Sequence, residues 1–288
     1  MLKQEIDSLV PASAFSRRRF VQTGLGSGFA AAVLPASAQA IRTDRTGISA
    51  GEVTIPVGDF RMPAFRARPE GRSAGLPVLL VVSEIFGVHE YIADITVRFA
   101  RLGYLAIAPE LFVRQGDAQG YGEVGKLVAE VVSKASDAQV LGDLDATVAW
   151  ARAEGADTGR LGITGFCWGG RTTLMYAAHN PAVKAAVAWY GALARSDYPG
   201  DRTALEVAPQ IKAAVLGLYG GADPGIPTDT VEQMRKALQA AGNTRSEFIV
   251  YPDTPHAFHA DYRPSYRKAQ AEDGWRRAVA WFKAHGVA

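Results

Sequence analysis

Residues 161–170 read Leu-Gly-Ile-Thr-Gly-Phe-Cys-Trp-Gly-Gly, and this stretch decides the fold. A short apolar run ends at Thr164 and a helical segment is predicted from Trp168, so Gly165-Phe166-Cys167-Trp168-Gly169 lies between a strand and a helix. The five residues have the Gly-x-Ser-x-Gly spacing of a nucleophile elbow, with cysteine in place of serine. Side chains on the flanking residues of so sharp a turn would collide, which accounts for the glycines. The pattern predicts a nucleophilic Cys167; the alternative is a small buried residue in an ordinary strand-to-helix turn.

The helix predicted after Cys167 bears on the chemistry of the thiol. Its N-terminus carries the positive end of the helix dipole, which favours a thiolate. The backbone N–H of Trp168 is placed to donate to an oxyanion. Cys167 is the only cysteine in the chain, so an intrachain disulfide and a zinc site built from several cysteines are both excluded.

The partners of such a nucleophile follow it in chain order, the acid before the histidine. Asp223 closes the segment 219–223 behind an apolar strand, and His256 follows the last predicted strand, residues 248–251. The sequence therefore predicts His256 as the base and Asp223 as the acid that orients it. The alternatives are a turn-forming aspartate before Pro224 and an ordinary loop histidine.

The remaining histidines carry less weight. His259 forms a His-x-x-His pair with His256, but the loop spacing is wrong for a helical metal pair and no carboxylate completes a ligand set. We therefore expect no metal. The other three are predicted to be surface or packing residues: His89, His179 and His285.

Outside the elbow, short apolar runs alternate with helical segments. Residues 52–57 and 60–67 alternate in polarity around Gly58-Asp59, which predicts a hairpin, and residues 77–82 are an unbroken apolar run typical of a buried strand. This alternation predicts an α/β fold: a mostly parallel central sheet flanked by helices, with an N-terminal β-hairpin. Because no internal linker or repeat is visible, we expect one domain over residues 41–288.

Residues 1–40 have the layout of a signal peptide. Arg17 and Arg18 precede a Gly- and Ala-rich apolar run that closes at Ala38-Gln39-Ala40, a small-x-small cleavage pattern. The twin arginine followed by x-Phe-Val resembles a Tat signal, which implies export of the folded precursor by the Tat machinery to the periplasm or beyond. The alternative is an amphipathic N-terminal helix on a cytosolic enzyme.

Composition and charge exclude several classes of protein. The 288 residues are 48% hydrophobic with a net charge of +2, which excludes a disordered chain and gives no nucleic-acid footprint. The first 40 residues hold four of the 31 basic and two of the 29 acidic residues, so the remainder is balanced at 27 each. No strongly apolar run is long enough for a stable membrane anchor.

Together these residues resemble the dienelactone hydrolases, also called carboxymethylenebutenolidases, which have the α/β-hydrolase fold. The most specific match is the thiol elbow combined with the segment Glu84-Ile85-Phe86-Gly87-Val88. The resemblance implies that Glu84 helps to activate the cysteine when substrate binds, and that the N–H of Ile85 is the second oxyanion donor. It also assigns the acid to Asp223 and the base to His256. A buried glutamate with a purely structural ion pair is the alternative for Glu84.

The chain departs from the family at the arginines that hold a substrate carboxylate. One family arginine lies four residues after the histidine, where this chain has Ala260, and the other lies before the elbow, where it offers Lys126. Arg263 lies nearby and is a candidate for the anionic group, at the rim of the pocket; the alternative is a solvated residue before Pro264.

The sequence therefore predicts a cofactor-free hydrolase that cleaves a small lactone or ester. Cys167 would attack the carbonyl and form an acyl-thioester, which water activated by His256 would hydrolyse. Two other possibilities stay open: a general carboxylesterase of other substrate, and a catalytically silent binding protein of the same fold.

Overall fold

The computed structural model describes residues 41–195 and 201–288; the predicted leader, residues 1–40, lies outside the described residues. The described chain forms one eight-stranded sheet. Its strands are β1 (Ile48–Val57), β2 (Phe60–Pro69), β3 (Pro77–Val82), β4 (Leu105–Pro109), β5 (Asp157–Phe166), β6 (Val183–Trp189), β7 (Ala214–Gly220) and β8 (Glu247–Tyr251).

The strand order across the sheet is β1-β2-β4-β3-β5-β6-β7-β8. The β1–β2 and β2–β4 pairs are antiparallel, and every later pair is parallel. The predicted N-terminal hairpin is confirmed: Val57 pairs with Phe60 across Gly58, whose φ of 56° suits a tight hairpin turn. The predicted mostly parallel sheet is likewise confirmed.

Helices flank the sheet. Those of the described residues are α1 (Glu90–Arg101), α2 (Val124–Glu130), α3 (Asp137–Ala153), α4 (Trp168–His179), α5 (Ala204–Val207), α6 (Thr228–Ala240) and α7 (Lys268–Ala284). α1 and α7 pack together through aromatic rings, with Phe99 4.6 Å from Trp275 and 5.9 Å from Phe282. None of the helices described is both long and apolar enough to cross a bilayer.

The central strands are the core of the molecule. All six residues of β3 and all seven of β7 are buried, because helices cover both faces of these parallel strands. An unbroken apolar run therefore becomes a central strand, whereas the hairpin strands keep a partly exposed, alternating pattern. This rigid centre holds the loops at the carboxyl ends of the strands, where α/β sheets bind their ligands.

Candidate active site

The register of the parallel strands brings the polar residues of interest to one edge of the sheet. Val82 of β3 pairs with Gly165 of β5, and Phe166 pairs with Trp189 of β6. Gly220 of β7 pairs with Tyr251 of β8. The residues that follow these strand ends are therefore neighbours: Glu84, Cys167, Tyr190, Asp223 and His256.

The predicted elbow is present and sterically constrained. Cys167 has φ 57° and ψ −115°, a conformation that a residue with a side chain rarely adopts. A Cβ on Gly165 would lie 2.2 Å from the carbonyl oxygen of Gly169, and one on Gly169 would lie 2.4 Å from the carbonyl oxygen of Val82. Both glycines are therefore required by the close approach of α4 to the ends of β3 and β5.

The predicted acid and base meet at this edge. The Nδ1–H of His256 donates to Oδ2 of Asp223 at 2.6 Å, while Oδ1 of the same carboxylate accepts the backbone N–H of Gly225 at 2.9 Å. The second ring nitrogen of His256 is left for Cys167, with which it forms a hydrogen bond. Thiol, imidazole and carboxylate are therefore neighbours at this edge of the sheet, in the order that nucleophilic catalysis would require.

The ionisation of His256 is strongly perturbed. Burial opposes its protonation, but the charge of the neighbouring Cys167 and the hydrogen bonds to Asp223 and Cys167 prevail and raise the pKa of His256 to about 10. An imidazolium beside the sulfur stabilises negative charge there.

Glu84 is fully buried at the end of β3 and has three partners. Its Oε2 accepts hydrogen bonds from the hydroxyl of Tyr262 at 2.8 Å and from Nε2 of His89 at 3.0 Å, and Nη2 of Arg263 lies 3.5 Å from its Oε1. Burial alone would raise the pKa of Glu84, but Arg263 and the two hydrogen-bond donors lower it to about 2. Glu84 is therefore an anion, and its Oε1 accepts no hydrogen bond from the described residues.

Arg263 is buried, with 4% of its surface exposed, so the expectation of a residue at the pocket rim is wrong, as is the solvated alternative. Its Nε–H donates to the Tyr262 hydroxyl at 3.0 Å, and its guanidinium lies 5.2 Å from the ring centre of Phe86. These contacts, together with the ion pair to Glu84, draw it inward. Its Nη1 is buried and finds no hydrogen-bond partner among the described residues.

Lys126, the other candidate for the missing arginines, is elsewhere. Its side chain is 63% exposed and pairs with Glu123 at 3.4 Å in the first turn of α2. The structure brings Arg263, and not Lys126, to the buried carboxylate of Glu84.

The two predicted oxyanion donors belong to segments that pack closely together. A Cβ on Gly169 would also meet the Ser83 carbonyl oxygen at 2.5 Å, which shows how closely the start of α4 packs on the end of β3. Trp168 is the first residue of α4, and Ile85 follows Glu84. Within the described chain, no acceptor contacts the N–H of Ile85. The packing therefore places both peptide groups at the edge that carries the thiol.

Tyr190 belongs to the same cluster, although the sequence analysis did not single it out. It is completely buried with a φ of 39°, and its ring lies edge-on to that of His256 at 5.1 Å. Its hydroxyl has no hydrogen-bond partner in the described part of the chain. Burial, with the nearby charge of Glu84, raises the pKa of Tyr190 well above its usual value, so the hydroxyl stays protonated as a donor. Its position directly after a buried strand was the available signal.

The other histidines divide between packing and the site. His259 packs against Trp189 at 4.4 Å and its Nδ1 bonds the Tyr91 hydroxyl at 2.6 Å; burial lowers the pKa of His259 to about 3, which keeps it neutral. The described residues contain no group of three or more His, Cys, Asp or Glu side chains arranged to hold a metal ion. His179 bonds Asp145 at the surface.

His89 was expected at the surface or in packing; it packs against the rings of Tyr91 and Tyr262, and it also has a polar contact that this expectation did not include. Its side chain is 13% exposed, and its Nε2 bonds Glu84. The two residues lie only five positions apart in the loop after β3, and this short spacing was the signal that sequence reasoning passed over. His285, in contrast, lies against Trp281 at 4.3 Å, as a packing residue.

Comparisons with known proteins identify the family. A profile of the dienelactone hydrolase family matches residues 62–286. A protein of Methylorubrum extorquens, provisionally named a carboxymethylenebutenolidase, is 55% identical and covers 99% of this chain and 98% of its own length. A Bradyrhizobium protein provisionally named 2-oxo-3-(5-oxofuran-2-ylidene)propanoate lactonase is 30% identical, over 79% of this chain and 91% of its own.

A solved structure supports the same relationship. The crystal structure of a provisionally named dienelactone hydrolase from Klebsiella pneumoniae is 54% identical, covers 82% of this chain and 98% of that chain, and superposes with a TM-score of 0.79. Sequence, fold and the geometry of the elbow lead to one conclusion: the chain belongs to the dienelactone hydrolase family and is a hydrolase of that type.

Proposed function

We propose that this protein opens a lactone or cleaves an ester by acyl transfer to Cys167, with His256 as the base and Asp223 as the residue that orients it. The observation that carries the proposal is the continuous hydrogen-bond path from Asp223 through His256 to Cys167 on a strained elbow. The family membership supports the reaction class, and the hydrogen-bond path supports the choice of residues.

In the first half-reaction, the sulfur of Cys167 attacks the carbonyl carbon. The carbonyl oxygen becomes an oxyanion, for which the N–H groups of Trp168 and Ile85 are the donors. The bond to the leaving oxygen then breaks, and the His256 imidazolium gives its proton to that oxygen and becomes neutral. An enol leaving group, as in an unsaturated lactone, departs more readily than a simple alkoxide and suits a thiol nucleophile.

In the second half-reaction, water hydrolyses the acyl-thioester. His256, no longer beside a charged sulfur, takes a proton from water while the oxygen attacks the thioester carbonyl. The carbon–sulfur bond breaks and returns the thiolate beside the imidazolium. No cofactor takes part in the proposed cycle.

The charge proposed for the substrate follows from the contacts of Glu84 and Arg263. The guanidinium of Arg263 is held by Glu84 on one side and has Nη1 without a partner among the described residues, so it can meet a carboxylate on the substrate. Such a contact would weaken the hold of Arg263 on Glu84. The family resemblance implies that this glutamate then helps to activate Cys167. We therefore propose an anionic lactone or ester as the preferred substrate.

A burst experiment tests the acyl-thioester. We expect p-nitrophenyl acetate to release one equivalent of p-nitrophenol rapidly and to acetylate Cys167, as seen in the mass of the intact protein. Iodoacetamide treatment and Cys167→Ala should both abolish the burst while the variant stays folded. Turnover by Cys167→Ala at the wild-type rate would remove the proposal.

A general carboxylesterase is the second candidate, and a panel of lactones and esters separates the two. Lactones with a free carboxylate should have the highest kcat/KM if the proposal is correct, whereas a neutral alkyl ester should lead if the second candidate is. Absence of a burst with every substrate would favour a silent binding protein.

We also propose that the precursor is exported by the Tat machinery and acts in the periplasm or outside the cell. The Arg17-Arg18 pair and the small-x-small pattern ending at Ala40 support this.

A further inference from the structure

A second polar site lies behind the active-site loop, where the first described residues meet α1 and α7. Ile41, Arg98, Asp261 and Trp275 are among the residues that line this cleft of about 280 Å³. Asp261 lies at its base with 2% of its surface exposed, and its Oδ1 accepts no hydrogen bond from the described residues. A buried carboxylate oxygen without a donor is costly unless something else satisfies it.

The charges around Asp261 do not balance. Arg98 donates from Nε to Asp94 at 2.6 Å and from Nη2 to Asp261 at 3.0 Å, so one guanidinium serves two carboxylates. The neighbouring His259 is neutral and bonds the uncharged Tyr91. Two further charged groups line the cleft from α7, Glu272 and Arg276, but their side chains are 56% and 68% exposed and therefore well screened by water. The buried part of the cluster carries one negative charge in excess.

The chain itself brings a backbone nitrogen to this site. Ile41 lines the same cleft as Asp261, and its backbone nitrogen is close enough to the Asp261 carboxyl group to lower the pKa of that group. Two residues later, the backbone N–H and the hydroxyl of Thr43 donate to Asp94 at 2.6 and 3.0 Å. The segment that starts at Ile41 is thus fixed across both carboxylates that share Arg98.

We propose that the Asp261 cleft is a receptor for the α-ammonium group of Ile41, which is created when the leader is removed after Ala40. This inference rests on the leader removal proposed above. In the precursor, residue 41 offers a neutral amide N–H; after cleavage of the peptide bond by water, the same nitrogen becomes a charged donor with three hydrogens. The new charge balances the cluster, and the added donors can reach the unsatisfied Oδ1.

The pair would fasten the loop that carries the active-site residues. Asp261 lies between Ala260 and Tyr262, five residues after His256 and two before Arg263. An ion pair from Asp261 to the chain terminus, and through Arg98 to α1, would hold this loop against the helix. Removal of the leader would thereby stabilise the mature form of the enzyme.

The pH dependence of the effect has a defined sign. In the intact chain, burial prevails over Arg98 and raises the pKa of Asp261 to about 6. The ammonium should lower that pKa, and Asp261 should raise the pKa of the Ile41 α-amine above its usual value of about 8. The extra stability should therefore be lost as the pH falls through the pKa of Asp261 and as it rises through that of the α-amine.

Two proteins that differ by one residue test the receptor. Residues 41–288 hold all eight strands and the core, so a chain released from a fusion to begin at Ile41 keeps the whole sheet. Its partner begins at Ala40, which moves the amine by about 3.8 Å. At pH 7 we expect the chain that begins at Ile41 to have a Tm higher by roughly 3–10 °C, the scale of one charge-assisted contact in a chain of this size.

Variants and a titration test whether Asp261 causes the difference in Tm between the two chains. Asp261→Asn should abolish the difference in Tm between the two chains, whereas Asp44→Asn, a change to a 68%-exposed carboxylate near the same terminus, should leave it intact. Should Asp261→Asn fail to fold, NMR titration of ¹⁵N-labelled Ile41 in the wild type should still show an α-amine pKa above its usual value of about 8. Equal Tm values with a usual α-amine pKa would overturn the receptor. Mass analysis of the exported protein tests leader removal separately. A terminus other than Ile41 would show that the cleft does not bind the natural N-terminus, but would not change the result for the chain that begins at Ile41.

Discussion

Nη2 of Arg263 lies 3.5 Å from Oε1 of Glu84, and both side chains are buried. The pair is completed by Tyr262, whose hydroxyl accepts from Arg263 and donates to Glu84. Since each residue stabilises the charge of the other, an isolated substitution of either leaves an uncompensated buried ion, at a cost of about 3–5 kcal/mol. This mutual dependence guides the choice of variants at the site.

Arg263→Lys should change substrate selectivity more than stability. Lysine keeps the positive charge beside Glu84 but loses the planar fork that can bind a second carboxylate. We expect kcat/KM for an ester with a free carboxylate to fall about ten- to a hundredfold, as for the loss of about 1.5–3 kcal/mol of binding. A matched neutral ester should be affected much less. The ratio of kcat/KM for the two esters cancels any effect of the substitution that acts equally on both through Glu84 or Cys167.

Arg263→Ala provides the harsher comparison, because it also leaves Glu84 without its main counter-charge. Burial should then raise the pKa of Glu84, and the variant should lose stability as well as selectivity. Equal losses on the anionic and the neutral ester in both variants would argue against a substrate-binding role for Arg263.

Gly165→Ala should prevent the elbow from forming. The new Cβ would lie 2.2 Å from a backbone oxygen that cannot move without displacing α4, so we expect a loss of roughly 3 kcal/mol or more. Gly142→Ala in α3 is the matched control, because a Cβ there would meet no atom of another element within 4 Å, and alanine favours a helix by roughly 0.5–1 kcal/mol. Chemical denaturation of both variants measures the contrast. A Gly165→Ala protein as stable as the control would contradict the steric account.

The sheet, and the meeting of Cys167, Asp223 and His256 at one edge of it, could be predicted from the sequence because their signals are local. An apolar run over residues 77–82 can only be a covered strand, and the two glycines around Cys167 report a close approach that no side chain permits. Asp223 and His256 follow strands, so their meeting depends only on the parallel order of β7 and β8.

The buried polar cluster could not be predicted in this way. The position of Arg263 depends on a loop far along the chain that packs on Glu84, and no periodicity encodes that contact, whereas the short spacing of His89 from Glu84 gave only a weak signal. Apart from its position after a buried strand, Tyr190 resembles an ordinary core aromatic in sequence, and the missing partner of its hydroxyl among the described residues marks it as different. Such groups are recognised in the folded structure, where a buried polar atom has no hydrogen-bond partner among the described residues.

Cys167→Ala should lower the pKa of His256 from about 10. Among the causes that raise this pKa, the neighbouring cysteine comes first, and its removal leaves burial opposed by Asp223 alone. A raised pKa stabilises the fold fully below the unfolded value of about 6.5, and this contribution is lost as the pH rises through the folded value. The variant should therefore lose this contribution to stability at a lower pH than the wild type. NMR titration of the imidazole signals measures the change, with the exposed His179 as an internal control.

Arg17→Lys combined with Arg18→Lys should leave the precursor in the cytoplasm. The twin arginine is the feature that the Tat route reads, and lysine keeps the charge while it removes the guanidinium. Cell fractionation with an antibody against the protein gives the result, and Lys3→Arg is a conservative control outside the motif. Normal export of the double variant would count against the Tat route.

Tyr190→Phe should slow catalysis without a loss of stability. The substitution removes only a buried hydroxyl that bonds to none of the described residues, so the fold should be unaffected or slightly more stable. The ring lies against His256, and the charges of Glu84, Arg263 and Cys167 act on the hydroxyl. We therefore expect the hydroxyl to donate a hydrogen bond to the bound substrate. Loss of that hydrogen bond, worth about 0.5–1.5 kcal/mol, should reduce kcat/KM about two- to tenfold.

Tyr219→Phe is the matched control for Tyr190. Tyr219 is equally buried and its hydroxyl is likewise without a partner among the described residues, but it lies within β7 rather than beside the ring of His256. Removal of its hydroxyl should leave kcat/KM within a factor of about two, since no contact with substrate is lost. If both variants lose activity to the same extent, the effect of Tyr190→Phe comes from general repacking. A selective loss in Tyr190→Phe, with unchanged Tm, identifies its hydroxyl as a donor to the substrate.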